Sequence, residues 1–562
     1  MSMNHLNGGA LDTRGWSLGR FIDEIGDRYA HYEAIVASDQ MAGDTPRRWH
    51  YKALATDVRA LQWALMREGI QAGDRVGVMI SSFPEWILFL FAITRLGATF
   101  LPINPRFKSR ELRYVMKHSS AVAIVGMGEY LGNDYSALIA DAAGKPLARG
   151  YSELGSLRKI IGVHGMSMPG ALDVREMLEW GSAYTASQGK PPRADDEHQA
   201  AILFYTSGTT SFPKGVPLTS ANILPHSVEA GSLLELRPGE KVLTLYPFFG
   251  ISGGANKVLS TFGAGACLVF LDTFRPDQAC ELMHAEQCSV IHGVDVHIRE
   301  LIQANVRHAK KVQQARRGTV AFTAGVDEKL ARDMGPGLGL YRFIHPYGMT
   351  ETNPMILRNH LDDPFEVAVK AGGRTAPNVD IRIVDPQTGE NMALDKEGEI
   401  MVRGPTVTCG YLNDPASCSA AFTDGWFHTG DRGIRSSDGF VFYTGRLKDM
   451  LKVGGFNVAP QEIEGALKSH QSIEDAAVTS RSDARLGEVP IAFVKLRPGS
   501  HTNSAEIGEW CRAHIANFKV PRVIYIVEEL PYQTAAHGAK LQRHVLREWA
   551  LQFEKEHQPD RK

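Results

Sequence analysis

The sequence predicts an α/β protein that has a large N-terminal domain of layered βαβ parallel sheets and a small α+β C-terminal domain. Apolar, strand-length runs alternate with helix-length segments from Arg75 onward, and the same alternation returns from Lys241. After about Gly445 it gives way to a shorter α+β pattern. A chain of 562 residues is also longer than one hydrophobic core usually supports. We therefore predict two domains, 1–445 and 446–562.

The first βαβ series begins at Arg75. Its segments in order are the strand "RVGVMI", the helix "PEWILFLFAITRLG", the strand "ATFLPI", the helix "SRELRYVMKHS" and the strand "AVAIVG". Pro84 begins the first of these helices, where a missing N–H costs nothing. Strands that are almost wholly apolar are typical of a parallel sheet covered on both faces by helices.

The second series and the C-terminal domain follow from the same kind of pattern. In the second series the strands "KVLTLYPF", "GACLVFL" and "SVIHGV" accompany the helix "RPDQACELMHAEQC". In the C-terminal part we predict the helices "APQEIEGALKSH" and "SAEIGEWCRAHI", the strands "EDAAVTS" and "VPIAFVKL", and the apolar run "PRVIYIVEEL". Pro460 near the start of the first C-terminal helix is favourable N-terminal chemistry.

Composition excludes several classes of protein. The 61 basic and 63 acidic residues give a net charge of -2, so the broad positive field of a dedicated nucleic-acid binder is absent. Six scattered cysteines without a CxxC pair indicate reduced thiols. The first residues show no export signal, and the apolar run "WILFLFAI" is less than half the roughly 20 residues that cross a bilayer. We expect a cytoplasmic protein in which this run is a buried helix.

The segment "YTSGTTSFPKGV", Tyr205 to Val216, is the first candidate for chemistry. Hydroxyls and backbone N–H groups of such a loop can converge on phosphate oxygens, while Lys214 supplies a point charge. The segment lacks the G-x-x-x-x-G-K-[ST] spacing of a P-loop, because Pro213 precedes the lysine and Gly215 follows it. A polyphosphate site and a flexible surface loop are both compatible with this composition alone.

A resemblance favours the polyphosphate. The segment resembles the signature loop of the adenylate-forming superfamily, which includes acyl-CoA synthetases, luciferases and peptide-synthetase adenylation domains, with Ser211 in place of the usual glycine. Further segments resemble later motifs of this family in the same order: "YGMTET", "GEIMVRGPTVTCGYLNDP", "GWFHTGDRG" and "GRLKDMLKVGGFNVAPQEIE".

The resemblance implies a carboxylic acid:CoA ligase, an enzyme of fatty acid metabolism that uses ATP, Mg²⁺ and coenzyme A. A carboxylate would attack the α-phosphorus of ATP to give an acyl-AMP, and a thiol would then displace AMP. An anion must approach a polyanion, so charge neutralisation and alignment would dominate catalysis. The implied ligands of the departing pyrophosphate are Thr206, Ser207, Gly208, Thr209, Thr210 and Lys214.

The other motifs imply roles for further residues. Glu351 would bind Mg²⁺ and Thr350 would contact the α-phosphate region. Tyr347 would stack on adenine, Asp431 would accept hydrogen bonds from the ribose hydroxyls, and Arg446 would reach the nucleotide. The resemblance also implies a mobile C-terminal domain. It would rotate about a hinge at Lys448, with Lys452 and Gly455 lining the channel for coenzyme A. Each residue taken alone could equally be an ordinary surface or core residue.

The chain departs from the family pattern at three further places. The segment "LPYQTAAHGAKLQRHVLR" is longer than the family's lysine motif, and Lys540 is its candidate adenylation residue. In the predicted acyl pocket, formed by Phe249 and Gly250, the glycine replaces the usual histidine, so the acid is expected to be medium, long-chain or bulky and cyclic. Asp295 replaces a proline, with His292 and His297 nearby. A polar group on the acid, a position on a solvated turn or a satisfied local hydrogen bond would explain them.

Several alternatives stay open at this level. The adenylate could be transferred to a carrier-protein thiol, or oxidised as in luciferases, or the chain could be a nucleotide-binding regulator without catalysis. The predicted partner is a small-molecule carboxylic acid, with no nucleic acid and no integral membrane segment. Whether the protein is a monomer or a homodimer is open.

Overall fold

The computed structural model describes residues 11–38, 45–147, 150–206, 213–308, 311–322, 327–447, 451–453, 456–458, 460–483, 487–515, 517, 519–535 and 538–556. Within these residues, four sheets of five or more strands build the fold. Two of them are the predicted βαβ layers.

The first sheet contains the second predicted series. Its strands, in spatial order, are Arg342–Ile344, Arg317–Ala321, Val290–Val294, Lys241–Thr244, Cys267–Leu271, Glu33–Ser38 and Arg47–His50. All neighbours run parallel except the last pair, which is antiparallel. The connecting helices are Pro276–Ala285, Asp295–Arg307 and Glu328–Leu338. The predicted strand "KVLTLYPF" ends early, at Thr244, and its second half forms a loop.

The second sheet contains the first predicted series. In spatial order its strands are Lys214–Thr219, Ala200–Thr206, Thr99–Pro102, Arg75–Met79, Ala123–Met127, Lys159–Val163 and Leu172–Asp173. Only the pair that contains Lys214 is antiparallel. The helices Pro84–Leu96 and Ser109–Ser119 make the predicted crossovers. The α/β prediction is therefore confirmed for both series.

The third sheet was not predicted. Its eight strands are Tyr347–Met349, Asn353–Arg358, Gly372–Thr375, Val441–Arg446, Trp426–Arg435, Glu397–Arg403, Asp380–Val384 and Phe422–Thr423. All described pairs in it are antiparallel. Most of these strands are joined by short turns, and the two helices in the other connections, Phe365–Ala368 and Pro415–Ala421, are short, so the alternation of strands with long helices that identifies βαβ units is missing from this part of the sequence.

The smaller C-terminal domain has a sheet and a core of its own. The strands Phe456–Val458, Leu451–Val453, Gly487–Leu496 and Ile473–Asp483 are antiparallel, and Val523–Ile526 adds a parallel edge. The helices are Pro460–Lys468, Ser504–His514 and Arg543–Glu556. Buried apolar side chains such as Ile463, Val478 and Ile507 form one cluster between them. The predicted α+β domain is confirmed.

The remaining elements connect and cover the sheets. They are the helices Leu18–Arg28, Tyr51–Arg67, Tyr135–Ala143, Val174–Gln188, Ser220–Leu233, Val258–Gly263, Phe365–Ala368 and Pro415–Ala421, the π-helix Ile251–Lys257, and two hairpins, Glu129–Tyr130 with Asn133–Asp134 and Tyr532–Ala535 with Gly538–Leu541. Across the described ranges, no helix has both the length and the apolar character that a membrane span requires.

The helix Pro84–Leu96 is the buried helix predicted from "WILFLFAI". Trp86 and the seven apolar residues after it are almost fully buried. The Trp86 ring lies 5.4 Å from the ring of Phe248, which belongs to the loop of the predicted acyl pocket. This helix therefore ties the second sheet to the predicted acid site.

An ion-pair cluster holds the start of this helix. Arg47 donates two hydrogen bonds to the Glu85 carboxylate, at 2.5 and 3.2 Å, and His164 Nε2 donates a third at 3.2 Å. Burial alone would raise the pKa of Glu85. The His164 hydrogen bond and the Arg47 hydrogen bonds and charge outweigh burial and lower the pKa to about 2.

We expect Glu85→Gln to lower the free energy of unfolding by about 3 kcal/mol at pH 7, because the carboxylate has a lower pKa in the folded than in the unfolded chain. This contribution is complete above the unfolded pKa of about 4.5 and is lost as the pH falls towards 2. Urea unfolding at pH 7, 5 and 4 measures it. Glu24→Gln, which removes an exposed carboxylate, is the matched control. A difference between Glu85→Gln and wild type that is the same at every pH would contradict the assignment.

Candidate active site

The predicted phosphate loop joins two antiparallel strands at the edge of the second sheet. Thr206 ends one strand, Lys214 begins the next, and the two residues are partners in the register. Ser207, Gly208, Thr209 and Thr210, together with Ser211, lie outside the described residues. The sheet therefore fixes both ends of the loop and sets Lys214 opposite Thr206.

Lys214 and Glu351 both contact one tyrosine, Tyr411. The Lys214 Nζ atom lies 4.7 Å from the centroid of the Tyr411 ring. The Tyr411 hydroxyl donates a hydrogen bond of 3.1 Å to Glu351 Oε1. The structure thus brings the predicted phosphate lysine and the predicted magnesium ligand together. Sequence analysis did not single out Tyr411, although it lies within the segment "GEIMVRGPTVTCGYLNDP".

Glu351 occupies a tight turn. The strands Tyr347–Met349 and Asn353–Arg358 pair on either side of it, and its neighbour Thr350 is buried. Burial raises the pKa of Glu351, while the Tyr411 hydrogen bond and the charges of Arg446 and Lys214 oppose the shift. A divalent cation bound there would favour the ionised carboxylate, so the environment fits a metal ligand.

Hydrogen bonds attach a loop of the third sheet to this turn. The Thr408 backbone N–H donates to the Glu351 carbonyl at 2.8 Å, and the Thr408 hydroxyl donates to the Pro217 carbonyl at 2.7 Å. The Leu412 N–H donates to the Gly215 carbonyl at 2.8 Å. These bonds connect the turn of Glu351 with the strand that begins at Lys214, and they position Tyr411 between them.

Two asparagines hold the same loop from the other side. Asn222 Nδ2 donates to the Pro405 carbonyl at 2.6 Å, and Asn353 Nδ2 donates to the Thr406 carbonyl at 2.7 Å. Asn353 has φ +66°, a left-handed conformation that asparagine tolerates better than most residues. Asn222, Asn353 and Thr408 are positioning residues that sequence analysis missed, because their partners are distant in the chain.

The predicted nucleotide residues form a second group. Asp431 and Arg446 are register partners on neighbouring strands, and the Arg446 Nε atom lies 2.8 Å from Asp431 Oδ1. The Tyr347 hydroxyl donates to Asp431 Oδ2 at 2.9 Å. The Tyr347 ring stacks on the Tyr443 ring, with centroids 5.3 Å apart. The structure therefore brings Tyr347, Asp431 and Arg446 together.

This group is charged and only partly shielded. The Asp431 side chain is 4% exposed, whereas the Arg446 side chain is 42% exposed. Burial and the neighbouring Asp431 charge raise the pKa of Tyr347 well above its usual value. Its hydroxyl consequently keeps its proton and remains a donor to the carboxylate.

The predicted acyl pocket lies between Thr244 and a π-helix. Phe249 is half-buried and Gly250 is buried, and the π-helix Ile251–Lys257 begins directly after them. π-Helical turns are rare and are frequent at functional sites. A Cβ on Gly254 would approach the Phe248 carbonyl oxygen to 1.9 Å, so only glycine fits where this helix packs on the loop.

Of the three unusual residues downstream, His292 and Asp295 are buried and His297 is partly buried. Asp295 begins the helix Asp295–Arg307, and His297 packs on Phe274 at 4.6 Å between ring centroids. His292 is fully buried, and neither of its ring nitrogens has a hydrogen-bond partner. The alternative of a solvated turn or a satisfied local hydrogen bond is therefore wrong for His292.

The C-terminal candidates are described only in part. Lys540 lies in the strand Gly538–Leu541 and Lys452 lies in the strand Leu451–Val453. For these two residues the structure describes the backbone. Lys448 and Gly455 lie outside the described residues. The lysine segment forms a hairpin in which Lys540 pairs with Gln533. The Tyr532 hydroxyl at its base donates to Asp475 Oδ2 at 2.7 Å, which anchors the hairpin to the C-terminal sheet.

The described residues contain no cluster of three or more His, Cys, Asp or Glu side chains that could enclose a metal ion. A magnesium ion at Glu351 would therefore have a single described protein carboxylate and would need other oxygen ligands. Such an arrangement is usual for Mg²⁺, which is often bound by one or two carboxylates together with substrate phosphates.

Comparisons with known proteins identify the family to which the chain belongs. The family model described as "AMP-binding enzyme" matches residues 22–412, and that described as "AMP-binding enzyme C-terminal domain" matches residues 462–536. One relative is a ligase of Mycobacterium tuberculosis that is named for joining a methyl-dioxo-octahydroindenyl propanoyl group to CoA. It is 30% identical to this chain over 533 residues, which cover 95% of this chain and 98% of the relative.

Two further relatives agree. A long-chain-fatty-acid–CoA ligase of Bacillus subtilis is 28% identical over 527 residues, covering 88% of this chain and 89% of the relative. The crystal structure of ATP-bound MatB from Rhodopseudomonas palustris has a TM-score of 0.80 at 26% identity and covers 94% of this chain and 98% of that chain.

The similarity extends over both domains of the chain. The resemblance inferred from the five sequence motifs is thus confirmed, as is the predicted combination of a large N-terminal domain and a smaller C-terminal domain. The chain belongs to the AMP-binding enzyme family within the adenylate-forming superfamily.

Proposed function

We infer that the protein is an ATP-dependent carboxylic acid:CoA ligase, an acid-thiol ligase that forms AMP and pyrophosphate through an acyl-AMP intermediate. The observation that supports this most directly is the meeting of Lys214 and Glu351 on Tyr411. The Asp431–Arg446 pair lies in the same antiparallel sheet as Glu351's turn. Relatives named as CoA ligases support the same reaction.

In the first half-reaction, a substrate carboxylate oxygen forms a bond to the α-phosphorus of ATP while the bond from that phosphorus to the bridging oxygen breaks. The electron pair leaves with pyrophosphate. Lys214 would hold the departing phosphates with Thr206 and the hydroxyls and backbone of residues 207–210, and Thr350 would contact the α-phosphate region. Because two anions must approach each other, these donors lower the barrier mainly by neutralising charge.

Glu351 would hold Mg²⁺, which supplies charge neutralisation at the phosphate oxygens when bound. Tyr411 keeps Glu351 oriented by its hydrogen bond, and Lys214 lies on the ring of the same tyrosine. The carboxylate and the ammonium group thus each contact the tyrosine and, within the described residues, form no ion pair with each other. Each is left available to a ligand rather than to the other.

Asp431 would accept hydrogen bonds from the ribose hydroxyls, and Arg446 would contact the nucleotide phosphates from the domain junction. Tyr347 and Arg446 already orient the Asp431 carboxylate, so little ordering remains to be done when the nucleotide binds. Tyr347 would stack on adenine with its aromatic ring, which is itself stacked on the ring of Tyr443.

In the second half-reaction, the sulfur of coenzyme A bonds to the acyl carbon and AMP leaves. We propose that the domains are 1–445 and 446–562, with a hinge at Lys448. Lys452 and Gly455 would line the channel for coenzyme A, and Lys540 would bridge the carboxylate and the α-phosphate in the first step. The change of sheet between Val441–Arg446 and Leu451–Val453 supports this boundary.

The acid is proposed to be medium or long-chain, or bulky and cyclic. Gly250 leaves the pocket wall without a side chain, with the half-buried Phe249 beside it. The names of the relatives include both a long-chain fatty acid and a fused-ring propanoyl group. A cytoplasmic location and a homodimer also remain proposals.

The reaction is tested by AMP release from ATP and Mg²⁺ with coenzyme A, over a panel of fatty, aromatic, alicyclic and fused-ring acids. We expect AMP and a thioester in equal amounts with a preferred acid. Pyrophosphate without AMP or thioester would point instead to a carrier-protein acceptor. ATP binding without pyrophosphate release from any acid would point to a regulator.

We expect Lys540→Ala to slow adenylation by roughly 100-fold or more, because a positive group is lost where charge develops in the transition state. Thioester formation from supplied acyl-AMP should change only a few-fold. Separate rapid-mixing measurements of the two half-reactions check this. Lys495→Ala, which removes a partly exposed lysine of the same domain paired with Glu529, is the control. Equal losses in both half-reactions would refute the role of Lys540.

We expect Glu351→Gln to raise the Mg²⁺ concentration for half-maximal activity by at least about tenfold, because the anionic ligand is lost. Tyr411→Phe keeps the ring beside Lys214 but removes one hydrogen bond, so it should raise that concentration about fivefold. Mg²⁺ titrations of pyrophosphate release measure both. The control is Glu366→Gln, since Glu366 is exposed. Unchanged Mg²⁺ dependence in Glu351→Gln would exclude Glu351 as the ligand.

A further inference from the structure

A buried polar cluster lies on the first sheet beside the predicted acyl pocket. Thr244, His292 and Thr319 are register partners on three adjacent parallel strands, so their side chains point to the same face. The ammonium group of Lys257 lies 3.3 Å from Thr319 Oγ1, and Asn256 precedes it in the π-helix. We call these five residues the Lys257 cluster. None of them is more than 3% exposed.

Several polar atoms of the Lys257 cluster have no partner. His292 Nδ1 and Nε2, Thr244 Oγ1 and Asn256 Oδ1 are buried and make no hydrogen bond. Buried polar groups in folded proteins are almost always hydrogen-bonded, because leaving them unpaired is costly. Unpaired atoms on two strands and on the helix above them indicate that a ligand completes this site.

The charge of Lys257 is also uncompensated. Its Nζ atom contacts only the Thr319 hydroxyl and Met355 Sδ, each at 3.3 Å, and it forms no ion pair within the described part of the chain. Burial lowers the pKa of Lys257 to about 7, and the charge of Arg358 adds to the effect. Arg358 itself is paired with Glu229. A buried lysine without a carboxylate is unfavourable unless an acceptor is supplied by a ligand.

The surroundings of His292 point to the same kind of ligand. Burial, together with the charges of Lys257 and Arg317, lowers the pKa of His292 well below its usual value. His292 is therefore neutral and presents one N–H donor. The ammonium group of Lys257, this N–H group and the Thr244 hydroxyl can act as three donors in a positive local potential, whereas the unpaired Asn256 Oδ1 atom is an acceptor. A ligand oxygen that accepts hydrogen bonds would satisfy these donors.

The π-helix links this cluster to the acid site. It begins directly after Gly250 and ends at Lys257. At the helical rise of about 1.5 Å per residue, its two ends are on the order of 10 Å apart. An acid that enters beside Gly250 would therefore reach the Lys257 cluster with its far end rather than with its reacting carboxylate.

We propose that the Lys257 cluster is a subsite for a second oxygen function, a keto group or a carboxylate, at the far end of the acid substrate. This inference rests on the proposed ligase function and narrows its substrate class. Lys257 and His292 would donate hydrogen bonds to that oxygen, and a tail of hydrocarbon alone would leave them unpaired. Such a site discriminates strongly against an analogue that lacks the oxygen.

The test compares matched acids with the full-length enzyme. One set contains decanoic acid, decanedioic acid and the ten-carbon acid with a ketone next to its terminal methyl group. The other contains a fused-ring propanoic acid with and without a ring ketone. We expect the wild type to use at least one oxygenated acid with a kcat/KM roughly ten- to hundredfold above that of its unoxygenated partner. The oxygenated acid that is preferred distinguishes a ketone from a carboxylate.

Lys257→Met removes the charge and keeps the length of the side chain. We expect it to lose roughly ten- to hundredfold in kcat/KM for the oxygenated acid and to change less than about threefold for its unoxygenated partner. Thr319→Val should also lower the ratio of kcat/KM for the oxygenated acid to kcat/KM for its unoxygenated partner, by a smaller factor than Lys257→Met. Lys329→Met, an exposed lysine paired with Asp333, is the matched control and should leave the ratio unchanged.

Thermal unfolding separates this role from a purely structural one. Because a buried, unpaired charge is removed, we expect the Tm of Lys257→Met to equal or exceed that of the wild type. A lower Tm with equal losses for every acid would overturn the subsite. So would a wild type that turns over both members of a pair equally well. Absence of AMP release with every acid, in the wild type as well, would instead overturn the ligase function.

Discussion

The arrangement of the site depends on the hydrogen bonds that attach residues 405–412 to the strand beginning at Lys214. Thr408 bonds to the carbonyls of both Glu351 and Pro217, so one residue connects the antiparallel sheet to the edge of a mainly parallel one. Without this attachment Tyr411 would not lie between Lys214 and Glu351. Groups that are 137 residues apart in sequence, at positions 214 and 351, become parts of one site through a loop that itself supplies no charge.

The two groups of site residues arrange opposite charges differently. Tyr411 contacts both Lys214 and Glu351, whereas Asp431 and the half-exposed Arg446 form a direct ion pair. A direct Lys214–Glu351 ion pair would neutralise both groups before a ligand arrived. A neutral aromatic spacer instead keeps each charge oriented and available, which is preorganisation for a ligand that carries many negative charges and a metal ion.

The lysine near the predicted acyl pocket, Lys257, has different surroundings from Lys214. Lys257, the last residue of the π-helix, is buried and has no carboxylate partner in the described residues, whereas Lys214 faces an aromatic ring at the sheet edge. In the low dielectric of the core, an acceptor oxygen would interact strongly with such a cation. The two lysines are thus suited to the two ends of the reaction: Lys214 to a solvated polyphosphate, and Lys257 to one oxygen on an otherwise apolar molecule. Gly250 and the π-helix connect these regions.

The sequence by itself determined the two βαβ series, the buried helix at Pro84 and the C-terminal domain, because apolar periodicity and helix-start residues are local properties that the chain carries wherever it folds. Its motifs also predicted Lys214, Glu351, Tyr347, Asp431 and Arg446 as site residues. Only the tertiary structure decided that eight strands after Tyr347 form an antiparallel sheet, and that Tyr411, Asn353 and Thr408 hold the site together. It also decided that Lys257 is buried against His292 and Thr319, since strand register and contacts between distant segments depend on how the whole chain packs and have no local signature.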